Sequence, residues 1–290
     1  MASAARCCGT TRKGTRCSIT SASRLTDDHG RLVAEPLQRG GAYCRLHAAY
    51  FCTRPVAHVR SPSLLILIDL ETTGLDVTID QVVEIAACHV PPCPMMKGEA
   101  FSTTVCAARN DSAVQVHGIP PAEVAASPTF PVAWSRFVAF VERLQHCAVG
   151  DHSDSESELD EYPSRPSPDL PSVVLAGHNS FRFDMPVILF ECNRHGCSLS
   201  TLAQWHYVDT IHVAQAAGVQ HFGGCLKLQC LVNGRCTEHL NAHRALDDCI
   251  ALRCVLEGIA VYWGVALRDL IHPLAVRLDV EASSAQLATT

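Results

Sequence analysis

The chain has no stretch of about 18 uninterrupted apolar residues, the length that a helix needs to cross a bilayer, and its start lacks the apolar run of a secretory signal. No acid occurs in the first 26 residues, and residues 1–60 contain no long periodic element that could build an ordinary core. Between Gly150 and Ser172 apolar residues almost vanish in favour of acids, serines and prolines. These absences predict a soluble intracellular protein with no membrane partner, a leader ordered by something other than a core, and a disordered acidic surface loop at 150–172. Serines among the acids of that loop are candidates for phosphorylation, with an inert solvated insertion as the simpler account.

A disulfide framework is also not indicated. Cysteine numbers 16, yet Cys88, Cys192, Cys249 and Cys254 lie inside apolar patterns, where free thiols behave as small hydrophobes. A reducing compartment, nuclear or cytoplasmic, fits that usage. What the chain does have is apolar content of 48% over 290 residues, enough for a sizeable core.

Charge is divided unevenly. Residues 1–60 hold ten Arg or Lys against Asp27, Asp28 and Glu35, a balance of +7, which leaves −13 on the rest of a chain whose total is −6. A basic leader on an acidic body is an arm suited to polyanions, since Arg and Lys gain affinity by displacing counterions from phosphates. A merely solvated basic tail is the alternative.

From Leu64 onward strands and helices alternate. LLILID, VVEIAACHV at 82–90 and a third strand near Ala100–Val105 read as the opening meander of a mixed sheet. Pro120 and Pro121 introduce a short helix, and a longer one from Pro131 repeats Trp134, Phe137, Val138, Val141 and Leu144 at helical spacing. A strand at 173–178, a helix opened by Asp184, a strand at 206–210, LKLQCLV and a helix from Ala242 to Leu256 complete the body. The tail after Ser283 reads as polar and fraying.

Acids punctuate this framework in order. Asp69 and Glu71 alternate with Leu70 at the end of an apolar strand and so share one side of it. Paired carboxylates repel unless a cation lies between them. Asp184 starts a helix, and His243 precedes Asp247 and Asp248 near the start of another. Neighbours on a helix point about 100° apart, so only one of the last two acids faces the others. Hard oxygen ligands select magnesium or manganese. Two ions about 4 Å apart, with Asp69 bridging and Glu71, Asp248 and Asp184 supporting, make a site for phosphodiester hydrolysis. The imidazole of His243, a side chain that changes charge near physiological pH, is the candidate base. A lone histidine among 15 is ordinarily a packing or surface residue; its partners single this one out.

These blocks resemble the DEDDh branch of the DnaQ-like exonucleases, the proofreading and Trex-like enzymes. The D-x-E pair matches Asp69 and Glu71, H-N-x-x-x-x-D runs from His178-Asn179 to Asp184, and H-x-x-x-x-D runs from His243 to Asp248, which selects Asp248 over Asp247. VHGI at 116–119 and LKLQCL agree with flanking segments of that family. The resemblance covers roughly residues 62–260. It implies a ribonuclease H-like α/β fold, a mixed sheet flanked by helices, and removal of nucleoside 5′-monophosphates from 3′ ends of single or frayed strands. It further implies substrate contacts from Leu75, which packing alone would equally account for, from Asn179, and from Thr72, which a turn role would equally account for. Some relatives are homodimers, but no interface pattern is readable here.

Cys7, Cys17, Cys44 and His47 supply the ligand set of a tetrahedral structural zinc site, and CCGTTRKGTRC followed by GAYCRLH resembles a small zinc-binding module. Cys8 is an alternative to Cys7. An organelle-targeting leader is the competing account of the same basic segment. The expected organisation is therefore a zinc module at 1–60, an exonuclease domain at 61–262 and a partly disordered extension at 263–290. DNA is the favoured substrate, with RNA trimming and a non-enzymatic nucleic-acid adaptor as alternatives.

Overall fold

A computed structural model describes residues 51–92, 98–107, 111–150, 170–218, 225–232 and 243–288. The elements in chain order are β1 (Thr53–Pro55), β2 (Ser63–Thr72), β3 (Val82–Val90), β4 (Ala100–Thr104), α1 (Asp111–His117), α2 (Pro121–Ala126), α3 (Phe130–Gly150) and β5 (Ser172–Gly177). There follow α4 (Asp184–His195), α5 (Ser200–Gln204), β6 (His206–Asp209), α6 (Thr210–Ala216), α7 (Leu228–Val232), α8 (Ala245–Trp263), α9 (Leu267–Ile271), β7 (Val276–Leu278) and α10 (Val280–Leu287). The four proposed zinc ligands and most of the acidic insertion, residues 151–169, lie outside the described residues. Among those described, no single helix is long and apolar enough to cross a membrane.

The strands form one seven-stranded sheet in the order β1-β7-β6-β5-β2-β3-β4. β2, β3 and β4 are an antiparallel meander, while β5 and β6 run parallel to β2. The central strand β2 is buried on both faces and sorts its side chains by alternation. Leu64, Ile66, Ile68 and Leu70 join one core with Trp134 and Phe137 of α3 and Ile188 of α4. Leu67, with the half-buried Leu65 against it, joins the opposite core, with Cys249, Leu252 and Leu256 of α8. Asp69 and Glu71 continue the Leu65–Leu67 side and therefore emerge toward α8.

Local chemistry sets the helix ends. Pro121 opens α2 from the first helical position, where its missing N–H costs nothing. Gly196 (φ 66°) closes α4 and Gly264 (φ 64°) closes α8 in the left-handed region, which glycine adopts without a Cβ clash.

One expectation, the fraying tail, needs revision, and the sheet and one cysteine pair add features that the sequence pattern did not announce. The sheet does not stop at the 61–262 boundary, because β1 pairs with β7 and β7 with β6. The chain after Ser283 does not fray: it belongs to α10, with Asp279 capping the helix by accepting from the Ala282 amide. Leu287 enters the core, and the Ser283 hydroxyl accepts from the Cys52 amide at 3.1 Å. Finally, Cys225 and Cys230 are joined by a disulfide at a Cα separation of 5.9 Å, an ordinary span for that bond. Cys88, Cys192 and Cys249 are buried and Cys254 is half-buried, all outside any disulfide, in keeping with their apolar surroundings.

Candidate active site

Strand alternation, one helix start and one irregular turn bring four acids together. A register irregularity between Glu71 and Thr72 ends the pairing of β2 with β3 just where the acids stand, and such breaks re-aim side chains beside functional sites. Ligand oxygens of Asp69, Glu71 and Asp248 lie within 4.8 Å of one another. Asp184, buried at the first turn of α4, acts electrostatically on both Asp69 and Glu71. His243 stands outside α8 in a left-handed turn (φ 72°), exposed, and its backbone N–H donates to the Asp248 carboxylate at 3.2 Å.

The electrostatics describe a site short of positive charge. Burial, then Asp184, Asp248, Glu71 and Glu84, push the Asp69 carboxyl well above its ordinary range. Burial and the surrounding acids carry Glu71 up to about 8. Burial carries Asp184 to about 7 against hydrogen bonds from the backbone at Asp184 and Leu70. Asp248 is raised by burial, with the His243 backbone hydrogen bond opposing. A hard divalent cation fits this donor set: all-oxygen, close, and starved of counter-charge.

The folded state holds protons on these acids that the unfolded chain has released, so stability falls as pH rises. For Glu71 the loss begins above its ordinary value of 4.5 and is complete above about 8. Thermal unfolding in EDTA between these limits should show a falling Tm, and added magnesium or manganese should raise Tm most at the alkaline end. A flat profile would mean that the acids are not forced together.

Two supports escaped the sequence reading. Glu84 of β3, cross-strand from Glu71, is almost fully buried and accepts from Arg244 Nη2 at 2.9 Å, Arg244 Nε at 3.2 Å, the Ala245 amide at 3.1 Å and the Ser102 hydroxyl at 3.1 Å. It clamps the first turn of α8, three residues before Asp248. Asp209, at the end of β6, accepts from the amides of Asn179, Phe181 and Ile211 at 3.0, 3.2 and 3.0 Å, which fixes the loop that leads into Asp184. A buried acid at a mid-strand position is a signal for such a clamp, but its partner is visible only once β3 and α8 meet. Arg244→Ala should lower cation affinity or turnover about 10- to 100-fold, the usual cost of losing an outer support. A calorimetric cation titration checks it; unchanged binding and rate would reduce the clamp to packing.

The proposed substrate contacts differ in setting. Thr72 is buried and donates to the Gly74 carbonyl at 2.6 Å, so its hydroxyl is already engaged in shaping the turn. Leu75 is 51% exposed, which leaves it open to a ligand. Asn179 sits in a left-handed conformation (φ 61°), held by its amide to Asp209. Asp247 is not among the residues whose ligand atoms converge; Asp248 is.

Residues 66–155 match the family model described as Exonuclease (RNase T), under a third of the chain, a segment that contains Asp69 and Glu71 but not the later acids. The fold is similar to that of cell-death related nuclease 4, at 14% identity and a TM-score of 0.51 over 78% of this chain and 77% of that one. A structure of E. coli exonuclease I in complex with a dT13 oligonucleotide matches at 19% identity and a TM-score of 0.49, covering 70% of this chain and 42% of that chain. The chain thus spans about two fifths of the length of exonuclease I. No curated protein matches it in sequence.

Proposed function

We propose that the chain is a metal-dependent 3′–5′ exonuclease of the DEDDh type that releases nucleoside 5′-monophosphates, with DNA as the favoured polymer. The convergence of Asp69, Glu71 and Asp248 within 4.8 Å carries this reading, and the exonuclease family match over the segment that holds the first two acids supports it. Two magnesium or manganese ions, when bound, would neutralise the acids and the scissile phosphate and acidify the attacking water.

The chain's own residues have distinct tasks. Asp69, Glu71, Asp184 and Asp248 hold the ions, and the Glu84–Arg244 clamp keeps Asp248 at its station. His243, on an exposed turn fastened to Asp248 by its own amide, accepts the proton of the attacking water. Leu75 lies against the terminal base and Asn179 against the terminal nucleotide, with Thr72 shaping the turn between them and the acids.

The test is hydrolysis of matched strands labelled at the 5′ or the 3′ end, with magnesium or manganese, against the Asp69→Asn variant. A ladder shortening from the 3′ end, with 5′-monophosphate products, is the expected result. Wild-type protein as inert as the variant would overturn the reading, and faster hydrolysis of matched RNA would reassign the polymer.

A further inference from the structure

A second cluster of charge, opposite in sign, lies on the part of the sheet that the sequence pattern did not reveal. A cavity of about 300 Å³ is lined by Arg54, His58, Arg60, His206 and Arg277, and no carboxylate lines it. Three of these groups stand in a row. Arg54 on β1 is directly opposite Arg277 on β7, and Arg277 is directly opposite His206 on β6.

Directly opposed residues of antiparallel strands share a face, with Cβ atoms about 5 Å apart, and like charges in that position destabilise the pair. No ion pair is present for Arg54 or Arg277 among the described residues. His206 is buried, and its Nδ1 lies 3.3 Å from the Val173 carbonyl, which accepts the Nδ1 proton. Burial is the main cause that pushes its pKa down, and Arg277 and then His272 add to it. A bound anion would relieve the two arginines and oppose the downward push on His206.

We propose that this cavity is a nucleic-acid exosite that holds backbone phosphates of the same strand whose 3′ end occupies the acidic site. The row crosses two strand spacings, roughly 10 Å, which exceeds one phosphate and suits consecutive ones. The chain that leads into β1 is the most basic part of the sequence, with eight Arg or Lys and three acids in residues 1–50. Pairing puts His206 level with Val174 and Leu65, four residues before Asp69 on β2, and Arg277 three strands away. At 3.3 Å per residue and 4.8 Å per strand the separation from the acids is roughly 20 Å. The direct line runs beneath the helices that cover this face of the sheet, among them α8 and α9, so a strand rising 3.4 Å per nucleotide has to pass around them and needs at least roughly six nucleotides.

The choice of polynucleotide rests on the nuclease reading, so binding is measured in EDTA, where no turnover is needed. Fluorescence anisotropy compares labelled single strands of about 25 and about 4 nucleotides, on either side of the roughly six-nucleotide span. The variants are Arg54→Ser, exposed on an edge strand, and Arg54→Ser/Arg277→Gln, both checked by thermal unfolding. The expected result is about a tenfold rise in Kd for the long strand with the double variant, a salt slope shallower by about 0.7 for each phosphate no longer neutralised, and no change for the short strand. Cleavage of the short strand stays at the wild-type rate. Unchanged affinity and salt slope for the long strand overturns the exosite, as does an equal loss on both lengths. Deoxyadenosine monophosphate is the control for a free phosphate: saturable binding abolished by the double variant, with long-strand affinity intact, also overturns it. A protein that binds long strands through this row yet cleaves nothing sinks the nuclease reading and spares the exosite.

Discussion

Asp69→Asn is expected to lower hydrolysis of a labelled strand by about a thousandfold and, in the absence of metal, to leave the protein more stable than wild type above neutral pH. The first half follows from the position of Asp69 among the acids: it is half-buried, and Asp184, Asp248 and Glu71 all act on it. Metal-assisted stabilisation of developing charge amounts to several kcal/mol, and about 4 kcal/mol corresponds to three decades of rate. The second half comes from the same crowding. A carboxyl whose proton is held well above its ordinary range disfavours the folded state at every pH where the unfolded chain is ionised. An amide of the same shape carries no charge to be repelled. Activity and stability therefore move in opposite directions, which a folding defect cannot imitate. Single-turnover kinetics together with thermal unfolding in EDTA at alkaline pH checks both. Loss of stability alongside activity would make Asp69 a structural residue.

That opposition explains why the acids are legible in the sequence. Asp69 and Glu71 interrupt a strand that is otherwise apolar, and alternation alone sends them to one side. Asp184 is detectable because it opens a helix, and Asp248 because a histidine stands five residues ahead of it. Such signals are local in the sequence. The clamp is different: Glu84 and Arg244 are 160 residues apart, and nothing near either one names the other. Asp209 is likewise 30 residues from the Asn179 amide that it holds. The edge of the sheet was invisible for another reason. β1 and β7 are three residues each, too short for a period of two to stand out, and they exist because their partners supply the ladder. The row of Arg54, Arg277 and His206 is built by that pairing alone.

His243→Asn gives the sharpest separation of catalysis from architecture. The backbone at His243 is left-handed, at φ 72°, a conformation that asparagine tolerates far better than most residues. Its amide, not its ring, donates to Asp248, so the substitution preserves the hydrogen bond that steadies that acid. Only the imidazole is lost. General-base assistance contributes about 10²- to 10⁴-fold, and turnover should fall by that amount while cation affinity, measured by titration calorimetry, stays within about a factor of two. His243→Val serves as the contrast, because a β-branched residue is strained at positive φ and should weaken cation binding as well as rate. If the asparagine variant kept near-wild-type turnover, the proton would have to leave through another group and His243 would be reduced to a turn residue. If instead it lost rate and cation affinity together, the imidazole would belong to the support of Asp248 rather than to the proton transfer.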